Sequence, residues 1–595
     1  MKQFFFTSLM IALSVINIFA QHSGPTEITI PELKAHISFL ASDSLKGRKP
    51  GTKEGNIAAE YIRTQLENSG LILLAENGFQ YFPVTTGVSL GKNNALSFEN
   101  FDGKVEQDFV PLSFSSDGTV TAPVTFVGYG FDFKNDSLSW NDYQDLDASG
   151  KWCLILRGDP ESDNPQSPYA LYSSFRKKVL TAKDHGAAGV LFVSGEKFDK
   201  KDVLTDLFYD QSESDAGLPV IHLKRKVADD FLRETGGTVA RLEAKIDTNK
   251  APSSFMVGKE LTATTEVSKI KVQTQNVVAL LPTDNKAHKD EYLVIGAHYD
   301  HLGFGGPGSG SRRPDTVAVH NGADDNASGV AAIIEIAEKL AAAKKSLQRN
   351  IIVVAFGAEE MGTIGSRYFV RDPLFDLKKI KYMLNIDMIG RLDNDNKSLT
   401  IGGSGTAKGM ESIIERAKKQ VDLKVKLSPE GYGPSDHANF YANDIPVLFF
   451  FTGAHEDYHT PNDDTEFINF EGSKKIADFI YELTSYLANM EGTLAYQEAG
   501  PKTQPLGRRQ FKVTLGIMPD VAATDSKGVG VTLVMKGRPA EQAGMQKGDI
   551  IVALEGKPVN DIYEYMNRLA DFKVGQRISV EVMRAGKKVI LIVEL

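Results

Sequence analysis

The pattern of apolar and polar residues divides the chain into segments of different structural type. Residues 30–41 and the stretch that follows Thr52 carry apolar residues at helical spacing, which predicts two helices near the N-terminus. From about residue 110 to residue 260, strand-like runs and glycine turns surround a helical stretch at 175–185, so this block has its own texture. Beyond residue 272, strands alternate with helices, which is typical of an α/β domain.

The α/β block continues almost to residue 490 and is followed by a different kind of sequence. Residues 492–509 are linker-like, because they contain Pro501, Pro505 and several glycines. The last segment, residues 510–595, is β-rich around a helix that we predict at 561–569. The predicted strands of the α/β block are 272–281, 291–296, 350–356, 383–386, 399–402 and 445–451, and its predicted helices are 330–344, 410–421 and 471–490.

The bulk composition is that of an ordinary multidomain globular protein. A chain of 595 residues is too long for one hydrophobic core, so we expect roughly two to four domains. The formal net charge of −10, without a long basic run, argues against nucleic acid as a main partner. Cys153 is the only cysteine in the sequence, which excludes an intramolecular disulfide and metal clusters built from cysteines.

The N-terminus has the pattern of a secretory signal. Lys2 precedes an apolar run from Phe4 to Ala20, and polar residues and Pro25 follow. A membrane anchor is the alternative, but the small residue at the end of the run favours cleavage, and no cysteine follows that could carry a lipid. We therefore expect residues 1–20 to be a signal peptide and the mature protein to be secreted or periplasmic, without stable membrane insertion.

Residues that commonly bind metals follow four of the predicted strands. Ligands of open α/β sheets bind beyond the carboxyl ends of the strands, so this repeated placement predicts a metal site. The turn at residues 320–329 adds Asp324 and Asp325 just before a helix. Two histidines and three carboxylates suit a pair of borderline cations such as zinc, each with an open position for water or substrate. The residues after the strands are His298 with Asp300, Glu359 with Glu360, Asp387, and His459 in the loop beyond the fourth strand.

The charge balance of such a site leaves one carboxylate over. Two Zn²⁺ ions would be balanced by one shared aspartate, one further carboxylate on each ion and a bridging hydroxide. Glu359 then remains as a proton carrier, because adjacent residues at a strand end point to different sides and one can ligate while the other faces the bound water. Asp300, two residues after His298, can accept the imidazole N–H that faces away from the metal.

These motifs resemble, in order and spacing, the MH-clan dizinc exopeptidases, which include leucyl aminopeptidase, aminopeptidase Y and glutamate carboxypeptidase II. The stretches that carry the resemblance are 298–300, 322–329, 359–360, 385–388 and 458–461. The resemblance implies an α/β fold with a mixed sheet and helices on both faces. It also implies a cis peptide bond after the bridging aspartate. The implied roles are His298 and Asp387 on one zinc, Glu360 and His459 on the other, Asp325 between them, and Glu359 as general base and then acid.

Tyr432 is a further part of the resemblance. It matches a tyrosine that polarises the scissile carbonyl in some members of the clan, and the alternative is an aromatic residue packed in a loop. His301 and His320 neighbour the expected ligands but have no matching role, so we expect them to be bystanders.

The resemblance also accounts for the remaining segments. The block at 111–262 resembles a protease-associated (PA) domain, which caps or borders the substrate cleft in related enzymes; the alternative is a spacer with no substrate role. The C-terminal block resembles a β-rich PDZ domain, which implies binding of a peptide C-terminus or a protein partner; the alternative is a packing module that binds nothing. The expected boundaries are 21–110 and 263–492 for the peptidase domain, 493–509 for the linker and 510–595 for the PDZ domain, with the PDZ motifs at 514–517 and 538–551.

Together these observations predict a secreted or periplasmic aminopeptidase with two zinc ions. It would hydrolyse peptides with a free N-terminus by means of a hydroxide that bridges the metals, with Glu359 as the general base. A carboxypeptidase or a glutaminyl cyclase of the same clan is an alternative within enzymes. A peptide-binding protein without catalytic activity is the alternative from another class.

Overall fold

The structure is a computed structural model that describes most of the chain. The described residues are 27–595 apart from 136–137, 165, 211–213, 236, 396, 501, 503–512, 521–527 and 536. The predicted signal peptide at residues 1–20 therefore lies outside the described residues. Among the helices of the described part, none is long and apolar enough to cross a membrane.

Two helices open the described chain, as the apolar spacing predicted. Helix α1 spans Ile30–Leu40 and helix α2 spans Lys53–Asn68, with a short helical turn, Asp43–Arg48, between them. The side chain of Thr52 caps α2 by accepting a hydrogen bond from the amide of Gly55 at 3.1 Å. Strands β1 (Ile72–Leu73) and β2 (Phe79–Leu90) follow.

An inserted domain begins after β2 and builds its own sheet. The eight strands have the order β4-β3-β12-β6-β9-β10-β11-β5, in which β9, β10 and β11 are parallel. Helix α3 packs on one face of this sheet, and helices α4 and α5 pack on the other. The elements are β3 (Ala95–Phe98), β4 (Phe101–Asp102), β5 (Phe109–Pro111), β6 (Gly118–Phe126), β7 (Asp132–Lys134), β8 (Ser139–Asn141), β9 (Trp152–Leu156), α3 (Phe175–Asp184), β10 (Gly189–Val193), β11 (Val220–Leu223), α4 (Arg225–Leu232), α5 (Val239–Asn249) and β12 (Phe255–Thr265).

The chain then returns to the first domain and completes it. The predicted strands and helices of the α/β block are all present, and α7, α9 and β18 are additional to them. The elements are β13 (Val267–Leu281), β14 (Tyr292–His298), α6 (Gly329–Ala342), β15 (Asn350–Phe356), α7 (Ile364–Arg371), β16 (Ile380–Ile386), β17 (Ser398–Gly402), α8 (Met410–Ala417), β18 (Lys424–Leu427), α9 (His437–Tyr441), β19 (Val447–Phe451) and α10 (Phe470–Asn489).

The central sheet of this domain is mixed and covered on both faces, so the predicted fold class is confirmed. Its order is β1-β13-β15-β14-β16-β19-β17-β18, with β2 paired to β13. Strands β15, β14, β16 and β19 run parallel, whereas β13 and β17 run antiparallel to their neighbours β15 and β19. Along β14, Leu293 and Ile295 face the core under α1, α6 and α10, and Val294 faces the core under α7 and α9. This alternation explains why the strand is apolar throughout.

The connection to the inserted domain uses two neighbouring strands. β2 leads into the insertion and β13 leads out of it, and the two pair antiparallel from Phe79 opposite Val277 to Leu90 opposite Val267. Because the chain leaves the α/β domain on β2 and returns to it on the paired strand β13, the inserted domain does not break the central sheet.

The C-terminal domain is a small β-rich unit with its own core. Its sheet has the order β20-β21-β22-β24-β25, with β23 paired to β22, so β20 lies at an edge. Helix α12 confirms the predicted helix, and Asp561 caps it by accepting a hydrogen bond from the Glu564 amide. The elements are β20 (Ile517–Asp520), β21 (Val529–Val534), α11 (Pro539–Gln542), β22 (Ile550–Leu554), β23 (Lys557–Pro558), α12 (Ile562–Leu569), β24 (Arg577–Arg584) and β25 (Lys587–Glu594).

The first part of the predicted linker is bound to the first domain. The Leu494 amide donates to the Tyr382 hydroxyl at 2.7 Å, and the Ala499 amide donates to the Tyr441 hydroxyl at 2.9 Å. These contacts fasten residues 494–499 to the body of the α/β domain before the chain continues to the C-terminal domain.

Candidate metal centre

The four strands whose ends carry the predicted ligands are neighbours in the central sheet. β15, β14, β16 and β19 lie side by side and parallel, so their carboxyl ends meet at one edge. His298 is the last residue of β14, and Asp387 directly follows β16. Glu360 follows β15, and His459 lies in the loop after β19. The topology therefore explains how residues far apart in the sequence come together.

Asp325 reaches the same place from a turn of irregular backbone before α6. Gly322 has a φ of 56°, and the peptide bond between Asp325 and Asn326 is cis, as the family resemblance implied. The Asn326 side chain ties this turn to the end of β16. It accepts a hydrogen bond from the Met388 amide at 3.1 Å and donates one to the Ile386 carbonyl at 2.9 Å. The turn and the strand end are thus held as one unit.

The first group of ligands consists of His298, Asp325 and Asp387. His298 Nε2 lies 3.2 Å from Asp325 Oδ1 and 3.4 Å from Asp387 Oδ1. The three residues are buried, and their donor atoms are close enough together to hold one metal ion.

The second group uses the other oxygen of Asp325. His459 Nε2 lies 3.1 Å from Asp325 Oδ2 and 3.0 Å from Glu360 Oε2. Asp325 therefore presents one carboxylate oxygen to each group, and all five predicted metal ligands are brought together. His301 also reaches this group, because its Nδ1 lies 2.7 Å from Glu360 Oε1. The prediction that His301 is a bystander is therefore wrong, since His301, Asp325 and Glu360 are close enough together to hold a metal ion.

The donor set and its electrostatics fit bound cations. Imidazole nitrogen and carboxylate oxygen are the donors that zinc and similar ions take in proteins. Asp387 Oδ1 is buried and has no hydrogen-bond partner in the described structure, which is expected of an oxygen atom that binds a metal ion. Burial alone would lower the pKa of His298, but the carboxylates of Asp387, Glu359 and Asp325 raise that pKa well above its ordinary value. The centre thus concentrates negative charge on buried nitrogen and oxygen donors.

Glu359 lies beside the first group without belonging to either set of ligands. Its Oε2 is 4.0 Å from His298 Nε2, and 12% of its side chain is exposed. Burial raises the pKa of Glu359 well above its ordinary value, and the neighbouring carboxylates of Asp436, Glu360 and Asp387 add to this rise. A carboxyl group in such surroundings can take up and release a proton nearer to neutral pH.

Asp300 contacts the centre differently from the sequence prediction. His298 Nδ1 lies 3.2 Å from the main-chain oxygen of Asp300, and 3.9 Å from its carboxylate. The carboxylate instead accepts hydrogen bonds from the amides of Glu359 at 2.9 Å and Glu360 at 3.3 Å. Asp300 therefore orients both the imidazole and the two glutamates, with different atoms. Spacing alone identified the residue but not this division of contacts.

The two tyrosines near the site have different surroundings. Tyr432 is half-buried and packs beside the hydrophobic cluster under α7 and α9. Tyr458, which belongs to the stretch 458–461 but for which no role was predicted, stacks on His459 with ring centroids 3.9 Å apart. Burial raises the pKa of Tyr458, and the carboxylates of Asp325, Glu360, Asp387 and Glu359 raise it further. The only indication in the sequence that Tyr458 lies at the site was its position directly before the predicted ligand His459.

Further side chains that the sequence reasoning missed support the ligands. The Ser435 hydroxyl donates to Asp387 Oδ2 at 2.7 Å. Asp463 Oδ2 accepts hydrogen bonds from the Asp324 amide at 3.0 Å and the Asp325 amide at 2.9 Å. His301, expected to be a bystander, contacts Glu360 as described above. Serine and aspartate in loops carry no pattern that distinguishes these roles in advance.

The inserted domain reaches a loop that borders the second group. His459 Nδ1 lies 3.1 Å from the Gly310 carbonyl, and the Arg312 amide donates to the His459 carbonyl at 2.9 Å. In the same loop, a Cβ added to Gly308 would lie 3.4 Å from Cδ2 of Phe208 in the inserted domain. The inserted domain is therefore adjacent to the segment that holds His459.

Comparison with known families decides what the α/β domain is. Residues 276–484 match Peptidase family M28, and this range contains all five predicted ligands and Glu359. This part of the chain is an M28 peptidase domain. Residues 119–231 match the PA domain and residues 512–595 match the PDZ domain, so the predicted resemblance is confirmed for all three units.

Relatives with the M28 domain are similar over much of the chain. The chain is 25% identical to aminopeptidase YwaD of Bacillus subtilis (strain 168) over 371 residues, which cover 60% of this chain and 67% of YwaD. It is 26% identical over 431 residues to an aminopeptidase of Pseudomonas aeruginosa (strain UCBPP-PA14), covering 70% of this chain and 68% of that protein. Among solved structures, BSAP, a zinc aminopeptidase from Bacillus subtilis, has a TM-score of 0.45 and 22% identity, covering 78% of this chain and 95% of BSAP.

Proposed function

We propose that this protein is a zinc-dependent aminopeptidase that hydrolyses peptides from a free N-terminus. The observation that carries the proposal is the position of Asp325, whose two oxygens lie 3.2 Å from His298 Nε2 and 3.1 Å from His459 Nε2. A carboxylate shared by two ligand groups is the arrangement that a pair of metal ions needs. The M28 match and the aminopeptidase relatives support the same activity.

The ligands would divide between two zinc ions. His298, Asp387 and Asp325 would hold the first, and Glu360, His459 and Asp325 would hold the second. Bound zinc supplies Lewis acidity, which activates a water molecule and polarises the substrate carbonyl.

Glu359 moves the proton in this proposal. Its carboxylate accepts a proton from the attacking water and later delivers it to the leaving amine nitrogen. Asp300 fixes the Glu359 main chain through the 2.9 Å hydrogen bond to its amide. A tyrosine hydroxyl donates a hydrogen bond to the developing oxyanion. Tyr432 is the candidate from the family resemblance, and Tyr458 is the candidate that its surroundings support.

The charge of the centre suits a substrate with a protonated amine. In the zinc-loaded centre the charges of Asp325, Glu360 and Asp387 would be balanced by the metal ions, so Glu359, which is not among the ligands, is the carboxylate that can attract an N-terminal ammonium. A substrate whose amine is blocked loses this attraction. We therefore propose peptides with a free N-terminus as the substrate class.

The first test is a substrate panel measured with and without a chelator. We expect hydrolysis of leucine p-nitroanilide, no hydrolysis of its N-acetyl derivative, loss of activity with chelator and recovery with added Zn²⁺. Release of C-terminal residues from amine-blocked peptides would instead indicate a carboxypeptidase. Cyclisation of N-terminal glutamine would indicate a glutaminyl cyclase, and zinc binding without any turnover would indicate a binding protein.

We propose further that the protein acts outside the cytoplasm, in the periplasm or the medium. The support is the signal pattern of residues 1–20. Mass spectrometry of the protein expressed with its own N-terminus tests this location. A mature chain that begins near residue 21 in the periplasm or medium is the expected result, and an intact N-terminus in the cytoplasm would contradict it.

The PDZ domain is proposed to bind a peptide C-terminus. Strand β20 lies at the sheet edge, where a peptide can add as a further strand. Before it, Gly516 has a φ of 76°, and a Cβ there would lie 2.2 Å from Cβ of Arg538, so only glycine fits this loop. Binding of short peptides with a free carboxylate, compared with the same peptides as amides, tests the assignment.

A further inference from the structure

Arg48 is a buried arginine at the edge of the metal centre that the proposed reaction does not use. It ends the turn between α1 and α2 and is only 1% exposed. Lys46, Gly47 and Arg48 all have positive φ, between 45° and 70°, and this tight reversal directs the arginine inward. A Cβ on Gly47 would lie 2.5 Å from the carbonyl oxygens of Gly303 and His320, so the turn is wedged between two loops near the site.

The guanidinium of Arg48 joins two segments that carry metal ligands. Its Nε donates to the carbonyl of Tyr299, the residue after His298, at 2.8 Å. Its Nη1 and Nη2 donate to the carbonyls of Asn321 at 2.5 Å and Gly322 at 3.0 Å, in the turn that leads to Asp325. A further bond from Nη1 to the Leu40 carbonyl at 2.6 Å anchors the arginine to the end of α1. A planar fork of donors is suited to hold several carbonyls in fixed positions.

Arg48 also places a positive charge behind the carboxylates of the centre. Burial lowers its pKa to about 10, against the opposing effect of Asp325, Asp300, Asp463 and Glu360, so the group is charged at neutral pH. Its hydrogen bonds go to carbonyls and not to these carboxylates, which leaves the carboxylate oxygens available to metal ions.

We propose that Arg48 is a positioning residue that holds the Asp325 turn against the end of the His298 strand, so that the shared ligand is in place before metal binds. The inference rests on the proposed function of the centre as a zinc site. It predicts an effect on metal affinity and not only on folding, because the hydrogen bonds run to both segments that carry ligands.

The same domain offers a matched control in Arg349. This arginine is 0% exposed and also donates to several carbonyls, including that of Met490 at 2.8 Å, besides pairing with Glu291 at 2.7 Å. Its contacts lie around the C-terminal end of α10 and at Glu291, which precedes β14 and is at the opposite end of that strand from His298. Arg349→Met therefore removes an equally buried arginine without touching the metal centre.

The experiment compares full-length wild type, Arg48→Met, Arg48→Lys and Arg349→Met. After folding is checked by circular dichroism and melting, the affinity for Zn²⁺ is measured by competition with a chromophoric chelator. Hydrogen exchange of amides 320–328 is measured in the metal-free proteins. We expect zinc affinity to fall by roughly 10- to 100-fold in Arg48→Met. Arg48→Lys should lose less, because it keeps the charge but not the fork.

The control and the exchange measurement separate positioning from general stability. We expect Arg349→Met to keep the zinc affinity of wild type, and amides 320–328 to exchange faster only in the Arg48 variants. Wild-type zinc affinity in a folded Arg48 variant, or an equal loss in Arg349→Met, would overturn the inference. If Arg48→Met does not fold, Arg48→Lys decides alone. Wild-type protein that binds no zinc would contradict the proposed function itself.

Discussion

The Asp463 carboxylate accepts a hydrogen bond from the main-chain amide of Asp325 at 2.9 Å. Asp463 belongs to the loop that carries His459, whereas Asp325 belongs to the turn before α6. The contact therefore connects two separate segments that supply ligands to the same group. The Ala323 amide strengthens this link by donating to the Asp463 carbonyl at 2.9 Å.

Replacing Asp463 with asparagine is expected to weaken metal retention. The variant removes a negative charge that accepts hydrogen bonds from the amides of Asp324 and Asp325. The same charge lies near the Arg391 guanidinium, whose Nη2 is 3.8 Å from Asp463 Oδ1. We expect zinc loss to a chelator to be roughly 10-fold faster than in wild type. Asp290→Asn, at an exposed site, is the control and should release zinc at the wild-type rate. Equal rates in both variants would show that the Asp463 contact does not support the centre.

The two candidate tyrosines can be distinguished by removing one hydroxyl at a time. The ring of Tyr458 stacks on that of His459, a predicted ligand, with the two ring centroids 3.9 Å apart. We expect Tyr458→Phe to lower kcat by roughly 10- to 100-fold with full zinc content, because it removes one donor to the oxyanion. The family resemblance expects the same of Tyr432→Phe. Whichever variant keeps the kcat of wild type excludes that tyrosine as the donor.

Ion pairs hold the PDZ domain against the PA domain. Arg568 at the end of α12 donates to both oxygens of Asp184 at 2.8 and 3.0 Å, and Lys183 pairs with Glu564 at 2.7 Å. Asp184→Arg places three cations together, so we expect the domains to separate and the radius of gyration from X-ray scattering to increase. Adding Arg568→Asp should restore the compact value. A double variant as expanded as the single one would contradict a specific pairing.

The stability of the PA domain should depend on His222 in acid. His222 is 1% exposed, its Nδ1 accepts a hydrogen bond from the Thr205 amide at 3.0 Å, and burial lowers its pKa to about 3. The unfolded chain binds a proton below about pH 6.5, whereas the folded state does not, so stability falls as the pH drops from 6.5 towards 3.

His222→Gln removes this titration and provides the comparison. Thermal melting of the metal-free proteins between pH 7.5 and pH 5 measures it. We expect the melting temperature of wild type to fall more steeply with decreasing pH than that of the variant. The corresponding extra loss in the free energy of unfolding is at most about 1.4 kcal/mol per pH unit. Parallel curves for the two proteins would show that His222 is protonated in the folded state.

The sequence predicted those parts of the site that rest on local patterns. Strands that are apolar throughout identified the core of the sheet, and His298, Glu360 and Asp387 lie at the ends of these strands or within four residues after them. Because parallel strands end at one edge, this placement was enough to bring the ligands together without any distance information. The cis bond at Asp325 came only from the family resemblance.

The parts that could not be predicted depend on contacts across the fold. Arg48 binds main-chain carbonyls 251 and 273 positions away in the sequence. Because every residue has a main-chain carbonyl, the residue types do not indicate such contacts. Asp463 acts through amides in the same way. Asp300 was recognised from its spacing to His298. Its carboxylate, however, lies 2.9 Å from the Glu359 amide and 3.9 Å from His298 Nδ1, and the sequence spacing could not predict the contact with Glu359. Such roles become visible only when the segments are placed in space.

The most direct measurement of the central claim is the activity and zinc content of Glu359→Gln. Glu359 is assigned to proton transfer and not to metal binding, with its Oε2 4.0 Å from His298 Nε2. The account predicts zinc content equal to that of wild type and a kcat lower by roughly 10²- to 10⁴-fold on leucine p-nitroanilide. Full zinc content with turnover near that of wild type would contradict it.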